Sequence, residues 1–342
     1  MVKRIKNPTN KKEIITMKNN IKEFLKSLPK KSNIPVFIYF AINLAVMLFG
    51  NCGVFVAAAG DKWHTMPDAL MYLIITAMSV VMYAIGIAVS FSPVGDWLMR
   101  FKNGCEKIEG HQQEERINRL FNEVLERAKK VNPSLSTNIK IFIKESDEIN
   151  AFAYGRKTVC ITTALLERSD DEIKGVMAHE IGHISNHDTD LLQVVNIANV
   201  YVTLYALVIG AIVLFYKGTF KAIGWIFTLI AGSIGELIAT LLMKVFIDFI
   251  LTAIITVATF LWTALGNILV KESMRHNEFA ADRFACSLGY AKPYILLLNE
   301  MRLEENKLSK IRKVVAYMST DHPSADSRLR ELRKFYCSKA EK

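Results

Sequence analysis

His179-Glu180-Ile181-Gly182-His183 is the stretch from which the rest of the chain is read. On a helix, residues four apart share a face, so His179 and His183 can offer imidazole nitrogens to one metal ion. Glu180 lies on the neighbouring flank, where a carboxylate can take a proton from a water that the ion polarises. With 7 His in 342 residues, composition alone would produce this pattern in roughly one such chain per hundred. The plain alternative is an exposed helix with two solvated histidines, and the flanks argue against it. Ser169-Asp170-Asp171-Glu172 reads as a capping box that opens a helix. Ile173, Val176, Met177, Ile181 and Ile184 then form an apolar stripe, with both histidines towards one side of it. Histidines bordering buried surface need partners, and one metal ion serves both.

The chain is 51% hydrophobic and still 22% charged. The first figure argues against a purely soluble domain and the second against a pure transporter, so a membrane part and a soluble part with its own core are expected. Cys52, Cys105, Cys160, Cys286 and Cys337 are scattered without a CxxC pair. That spacing offers neither a disulfide framework nor a zinc ribbon and fits a catalytic part facing a reducing cytosol. Net charge is +10, and residues 1–34 hold ten Lys/Arg against two Glu. Nucleic acid is not expected as a partner, because a long apolar segment follows at once and the positive-inside rule accounts for the charge. Within this lead, Ile14, Met17, Ile21, Phe24, Leu25 and Leu28 recur at helical spacing, with Lys18, Lys22 and Lys26 on another face and Pro29 after them. A short basic helix lying on anionic lipid is the expectation. The lead is too long, and the apolar segment after it long enough to span, for a cleavable signal peptide.

The expected organisation follows the apolar segments. Residues 1–34 form the basic lead, 35–93 a transmembrane hairpin turning at Asp61 to Asp68, and 94–190 the first cytosolic part of a catalytic domain. In that part His111 to Val131 patterns as an amphipathic helix, while Asn138–Lys144 and Lys157–Thr163 pattern as strands. Residues 191–270 are again apolar, and 271–342 complete the catalytic domain. Three crossings within 191–270 would put the two catalytic parts on opposite sides. One segment is therefore expected to be re-entrant; 222–243, with Gly224, Gly232, Gly235 and Glu236, is the candidate. Glu236 and Asp248 could equally face the protein interior.

Catalytic zinc takes three protein ligands and leaves a position open. His187, at i+8 from His179, lies too far along the helix axis to join the other two. A carboxylate from a second helix is the other solution. Glu278 and Asp282, in Arg275-His276-Asn277-Glu278-Phe279-Ala280-Ala281-Asp282, could supply a ligand and a partner that fixes a histidine tautomer. An exposed Glu/Asp pair on a helix is ordinarily solvated surface, and the spacing alone does not separate the two readings.

Taken together, HEIGH at 179–183, apolar segments, NEFAAD at 277–282, Asn150-Ala151-Phe152-Ala153-Tyr154-Gly155 and Thr320-Asp321-His322-Pro323 resemble the HtpX family of membrane metalloproteases, relatives of the CAAX prenyl endopeptidases. The likeness runs from about residue 35 to 335, with Tyr154 in place of a Thr and Asp321 inserted before His322. It implies a mainly α-helical multi-pass membrane protein with a cytosolic α+β gluzincin-type metalloprotease domain, sited in the cytoplasmic (inner) membrane with its active site facing the cytoplasm. It implies one Zn2+ per chain held by His179, His183 and Glu278, with Glu180 as catalytic base and Asp282 behind the ligands. His322 and Arg328 fall where relatives place groups that support the oxyanion. Asn150, Ala151 and Phe152 are expected to border the cleft as an edge for a substrate strand. The implied activity is endopeptidase cleavage of misfolded or damaged membrane proteins in quality control. The alternatives are a prenyl-protein-type endopeptidase and a non-catalytic membrane adaptor with a structural metal. Oligomeric state is not legible.

Overall fold

The computed structural model describes residues 22, 25, 28–59, 65–135, 138–197, 261–309 and 322–340, without 263 and 267. The basic helix expected over residues 14–28 and the re-entrant candidate 222–243, with Glu236 and Asp248, lie essentially outside these residues. The chain divides into two units. One comprises Met1–Ile38, Ala84–Ile197 and Leu269–Lys342, and the other Tyr39–Tyr83 and Ala198–Ile268.

Two long apolar helices, α1 (Ile34–Ala59) and α2 (Asp68–Ser90), follow the basic lead. Among the described residues, α2 is the one helix long and apolar enough to cross a membrane, with a mean hydropathy of 2.2. In the second unit, polar side chains buried in this apolar setting pair with each other: Asn51 Nδ2 donates to Ser79 Oγ at 2.7 Å and Trp262 Nε1 to Asn43 Oδ1 at 3.0 Å.

In the first unit α2 leads directly into α3 (Pro93–Asn103), whose signals are all local. Ser92 caps it, Pro93 opens it, and Gly104 closes it at φ 65°, a left-handed conformation that a Cβ would disfavour. Then come α4 (His111–Val131), β1 (Lys140–Lys144), β2 (Ala151–Tyr154), β3 (Thr158–Thr162), the short α5 (Thr163–Leu166) and α6 (Asp170–Ser185). Helices follow at residues 188–197 (α7) and 268–285 (α8), with α9 (Ala291–Lys307) and α10 (Ala325–Ala340) after them.

The sheet order is β1-β3-β2. Strand β3 is central and wholly buried, parallel to β1 from Lys140↔Thr158 and antiparallel to β2 from Ala151↔Ile161. Strand β2 is thus an edge. Thr162 N donates to Asn150 O, so the ladder alternation turns the peptide groups of Ala151 and Ala153 away from β3, towards the open side.

Helix α6 is the centre of this unit. Ser169 and Glu172 form the capping box, and every residue from Val176 to Ile184 is buried. Its first turn is fixed by Arg116 of α4, which donates to Asp170 Oδ1 from Nε at 2.9 Å and Nη2 at 2.7 Å. Its last turn is tied to the end of α4 by Asn132 Nδ2 and Ser185 Oγ at 2.8 Å. The core packed on its faces comes from Ile117, Leu120, Phe121 and Val124 of α4, Val159 and Ile161 of β3, and Leu297 and Leu298 of α9.

Candidate metal centre

One helical turn separates His179 from His183, and both rings lie on the side of α6 that faces α8. That approach is close because both sequences are small at the crossing: a Cβ on Gly182 would sit 3.1 Å from Ala281 Cα and 3.2 Å from its carbonyl oxygen. Helix α8 therefore brings Glu278 directly against the histidines, and Asp282, four residues on, behind them.

The donor atoms converge. His179 Nε2 and His183 Nε2 are 3.2 Å apart. Glu278 turns one oxygen to each: Oε1 is 3.1 Å from His183 Nε2 and Oε2 is 3.3 Å from His179 Nε2. Ligand atoms on one tetrahedral zinc, at bonds of 2.0–2.1 Å, are spaced about 3.3 Å apart. The three separations therefore suit one ion. Two imidazole nitrogens facing each other at this distance point the same way. His322 also reaches this cluster; its ligating atom lies within 4.8 Å of those of His179 and Glu278. Its Nδ1 is 2.7 Å from Glu278 Oε2, a direct ion-pair distance, shorter than the spacing of two ligands on one ion. With its side chain 34% exposed, His322 stands at the solvent side of the centre.

Behind the donors lies a buried polar layer. Asp282 Oδ1 is 2.9 Å from His179 Nδ1, the ring nitrogen turned away from the cluster. Asp282 also accepts Arg328 Nε at 3.0 Å and Nη2 at 2.6 Å, and the Tyr294 hydroxyl at 2.7 Å. The Tyr294 ring stacks on His179, with centroids 5.5 Å apart. Arg328 is 4% exposed. Beyond Asp282, its guanidinium contacts the Tyr294 hydroxyl, and it lies 3.4 Å from Glu278 Oε2. On the other side, Asp188 Oδ2 is 3.4 Å from His183 Nδ1.

Electrostatics follow from this layering. Burial would raise the Glu278 carboxyl, but His322, Arg328 and the two α6 histidines outweigh it and hold it well below the carboxylate range. Burial opposes ionisation of Asp282 too, and Arg328 and His179 overcome it. Burial would lower both histidines, yet Glu278 raises each, aided by Asp282 at His179 and by Asp188 at His183.

The residues singled out in the sequence are thus placed as follows. His179, His183, Glu278 and Asp282 meet in one buried cluster, Glu180 is buried beside them on α6, and His322 joins at its rim. Arg328 is buried beside the cluster, with Nε and Nη2 donating to Asp282 and Nη2 in contact with the Tyr294 hydroxyl. Asn150, Ala151 and Phe152 lie at and just before the edge strand β2, which packs on α6. His187, set aside as a ligand, lies 3.4 Å from Asp190 Oδ2 through its Nδ1. Sequence reasoning missed Tyr294 and Asp188. Asp188 stands five residues beyond His183, a spacing that could have drawn attention; Tyr294 has no local signal.

The model of peptidase family M48 matches residues 111–336, from α4 into α10. Protease HtpX of Shewanella baltica (strain OS185) is 25% identical over 315 residues, covering 87% of this chain and 98% of the relative. Protease HtpX of Shewanella sp. (strain ANA-3) is 26% identical over 274 residues, covering 78% and 84%. Among solved structures, that of S. mikatae Ste24p aligns at a TM-score of 0.38 and 18% identity, over 88% of this chain and 66% of that one. The family match spans every donor in the cluster, and the chain belongs to peptidase family M48, the metalloproteases to which its buried His/His/Glu centre is suited.

Proposed function

We propose that the chain is a zinc endopeptidase of the cytoplasmic membrane that cleaves misfolded or damaged membrane proteins from the cytoplasmic side. The observation that carries the reading is the convergence of His179, His183 and Glu278 at 3.1–3.3 Å, with Glu180 adjacent. Two imidazoles and one carboxylate favour zinc among divalent ions. Bound there, zinc would polarise the scissile carbonyl and make an attacking water acidic.

The residues divide the remaining work. Glu180 takes the proton of the attacking water and returns it to the departing amine. His322, at the exposed rim, donates to the oxyanion that develops on the substrate carbonyl. Asp282 holds His179 in one tautomer and orientation, and Arg328 with Tyr294 holds Asp282. The outward peptide groups of Ala151 and Ala153 accept an extended substrate as an added strand, a contact indifferent to side chains. Recognition through backbone suits a protease whose substrates share disorder rather than a motif.

Three features support the membrane placement. Helix α2 is long and apolar enough to span. Helix α3, two residues after it, exposes Val94, Trp97 and Phe101 along one face, the two rings stacked at 5.6 Å, as aromatic side chains do at a bilayer interface. Lys30, at the end of the basic lead, contacts Asp188 beside the metal donors. Positive-inside orientation of the lead thereby favours a centre on the cytoplasmic side.

The test is paired. Zinc content and cleavage of an unfolded protein are measured in detergent for the wild type and Glu180→Gln. Zinc kept in both, with activity lost in the variant, is the expected result. Equal activity in both would remove Glu180 as the base.

A further inference from the structure

The two metal-facing histidines are supported in parallel ways. Each turns Nε2 to the cluster and Nδ1 to a carboxylate: His179 to Asp282 and His183 to Asp188. A ligand imidazole held in this manner has its tautomer and ring plane fixed before the ion arrives. Both carboxylates are almost wholly buried, Asp282 at 1% and Asp188 at 3% exposure. A buried carboxylate needs a cation or several donors to remain ionised. Asp282 has Arg328. Asp188 has Lys30, whose Nζ lies 3.0 Å from Oδ1, the oxygen not facing His183.

Lys30 does more than neutralise. Its Nζ also donates to Asn186 O at 2.7 Å. Asn186 is the C-cap of α6, and its own N–H returns to Gly182 O inside the histidine motif. One ammonium thus grips the last turn of the metal-bearing helix at a cap carbonyl and at the carboxylate beyond it, where a helix end favours positive charge. Three residues later Asn33, 4% exposed, meets Ser273 Oγ at 3.5 Å. Ser273 belongs to α8, five residues before Glu278. The segment 30–33 therefore touches both helices that supply metal donors, immediately before α1 begins.

We propose that Lys30 is a positioning residue for the metal centre: it fixes Asp188, which orients His183, so that the end of the basic lead sets how tightly the ion is held. The proposal rests on the metal reading above. It assigns to one lysine of the lead a task separate from lipid attraction.

The test uses the full chain in detergent, with zinc affinity from competition against a chelator and the visible spectrum of the cobalt-loaded protein as readouts. Lys30→Met and Asp188→Asn are each expected to weaken zinc binding about 10- to 100-fold and to shift the cobalt bands. The double variant should lose no more than Asp188→Asn alone, and Lys30→Arg should recover most of the affinity. Lys30 is partly exposed, so Lys30→Met decides the matter even if Asp188→Asn does not fold. Affinity within twofold of wild type and unchanged cobalt bands in Lys30→Met would overturn the proposal. Fully additive losses in the double variant would do the same, since they would assign the two residues separate effects. A wild type that takes up neither ion would overturn the metal reading itself.

Discussion

Arg328 and Asp282 are joined by two hydrogen bonds, Nε to Oδ2 at 3.0 Å and Nη2 to Oδ1 at 2.6 Å, in a layer from which solvent is nearly excluded. A forked guanidinium matched to a carboxylate fixes both planes. Asp282 in turn faces His179 Nδ1, so the arginine sets the orientation of a metal-facing ring that it does not need to coordinate. Removing one member of such a buried pair leaves an uncompensated charge. Arg328→Met is expected to destabilise the folded protein by about 3–5 kcal/mol, read as a lowered Tm in detergent. Arg328→Lys, which keeps the charge and loses the fork, should recover only part. An unchanged Tm in Arg328→Met would mean that Asp282 and Glu278 are neutral in the fold.

Glu278 presents separate oxygens to His183 and His179, so its removal takes one corner from the donor triangle. Glu278→Ala should retain little metal after dialysis and lose peptide hydrolysis with it. Elemental analysis of the purified variant checks this. Metal at the wild-type level would transfer the third position to another side chain, with His322 the nearest claimant.

Proton release should accompany metal uptake. In the metal-free fold His179 and His183 are raised above the ordinary imidazole value, because Glu278, Asp282 and Asp188 outweigh burial. A raised folded value means that their protonation stabilises the metal-free fold fully below the unfolded value of about 6.5. That contribution is lost as pH rises through the folded values. An ion needs both rings neutral, so near neutral pH it must expel protons, and affinity must climb with pH. Titration calorimetry in two buffers of different ionisation enthalpy reads the number released. Identical heats in both would refute it.

The crossing of α6 and α8 at Gly182 is a steric prediction. A methyl there would meet Ala281 Cα at 3.1 Å, Ala281 O at 3.2 Å and Phe284 Cβ at 3.2 Å. Two of those three atoms are backbone and yield only if a helix moves. Gly182→Ala is expected to cost about 1–3 kcal/mol and to weaken metal binding by spreading His183 from Glu278. Full affinity in this variant would show that the helices separate without disturbing the donors.

These contacts also mark what a sequence can reveal. The α6 capping box, the strand patterns at 138–144 and 157–163 and the helical spacing of Glu278 and Asp282 are local features, set by neighbours within a few residues. Helix α3 has local punctuation too, Ser92-Pro93 before and Gly104 after, but is not set apart by it. Its apolar face is short and directly follows a long apolar segment, so it reads as the tail of that segment. Tyr294 and Lys30 are illegible for another reason. Each acquires its role through a partner far along the chain, 12 residues from Asp282 for Tyr294 and 158 from Asp188 for Lys30. A lysine among ten basic residues looks like solvated charge until the fold buries a carboxylate beside it. Arg328 stands near the histidine motif at 322 in the sequence, but its direction, inward to Asp282, is a property of how α10 packs.

The order of the donors along the chain has a consequence for the timing of synthesis. His179 and His183 emerge from the ribosome long before Glu278, with the apolar stretch between them, and the Arg328 clamp comes 46 residues after Asp282. A nascent chain holds only two corners of the metal triangle while that stretch is being made. Proteolytic competence therefore waits until the helix that carries Arg328 closes over Asp282, and a product truncated before Glu278 is inert rather than a stray protease.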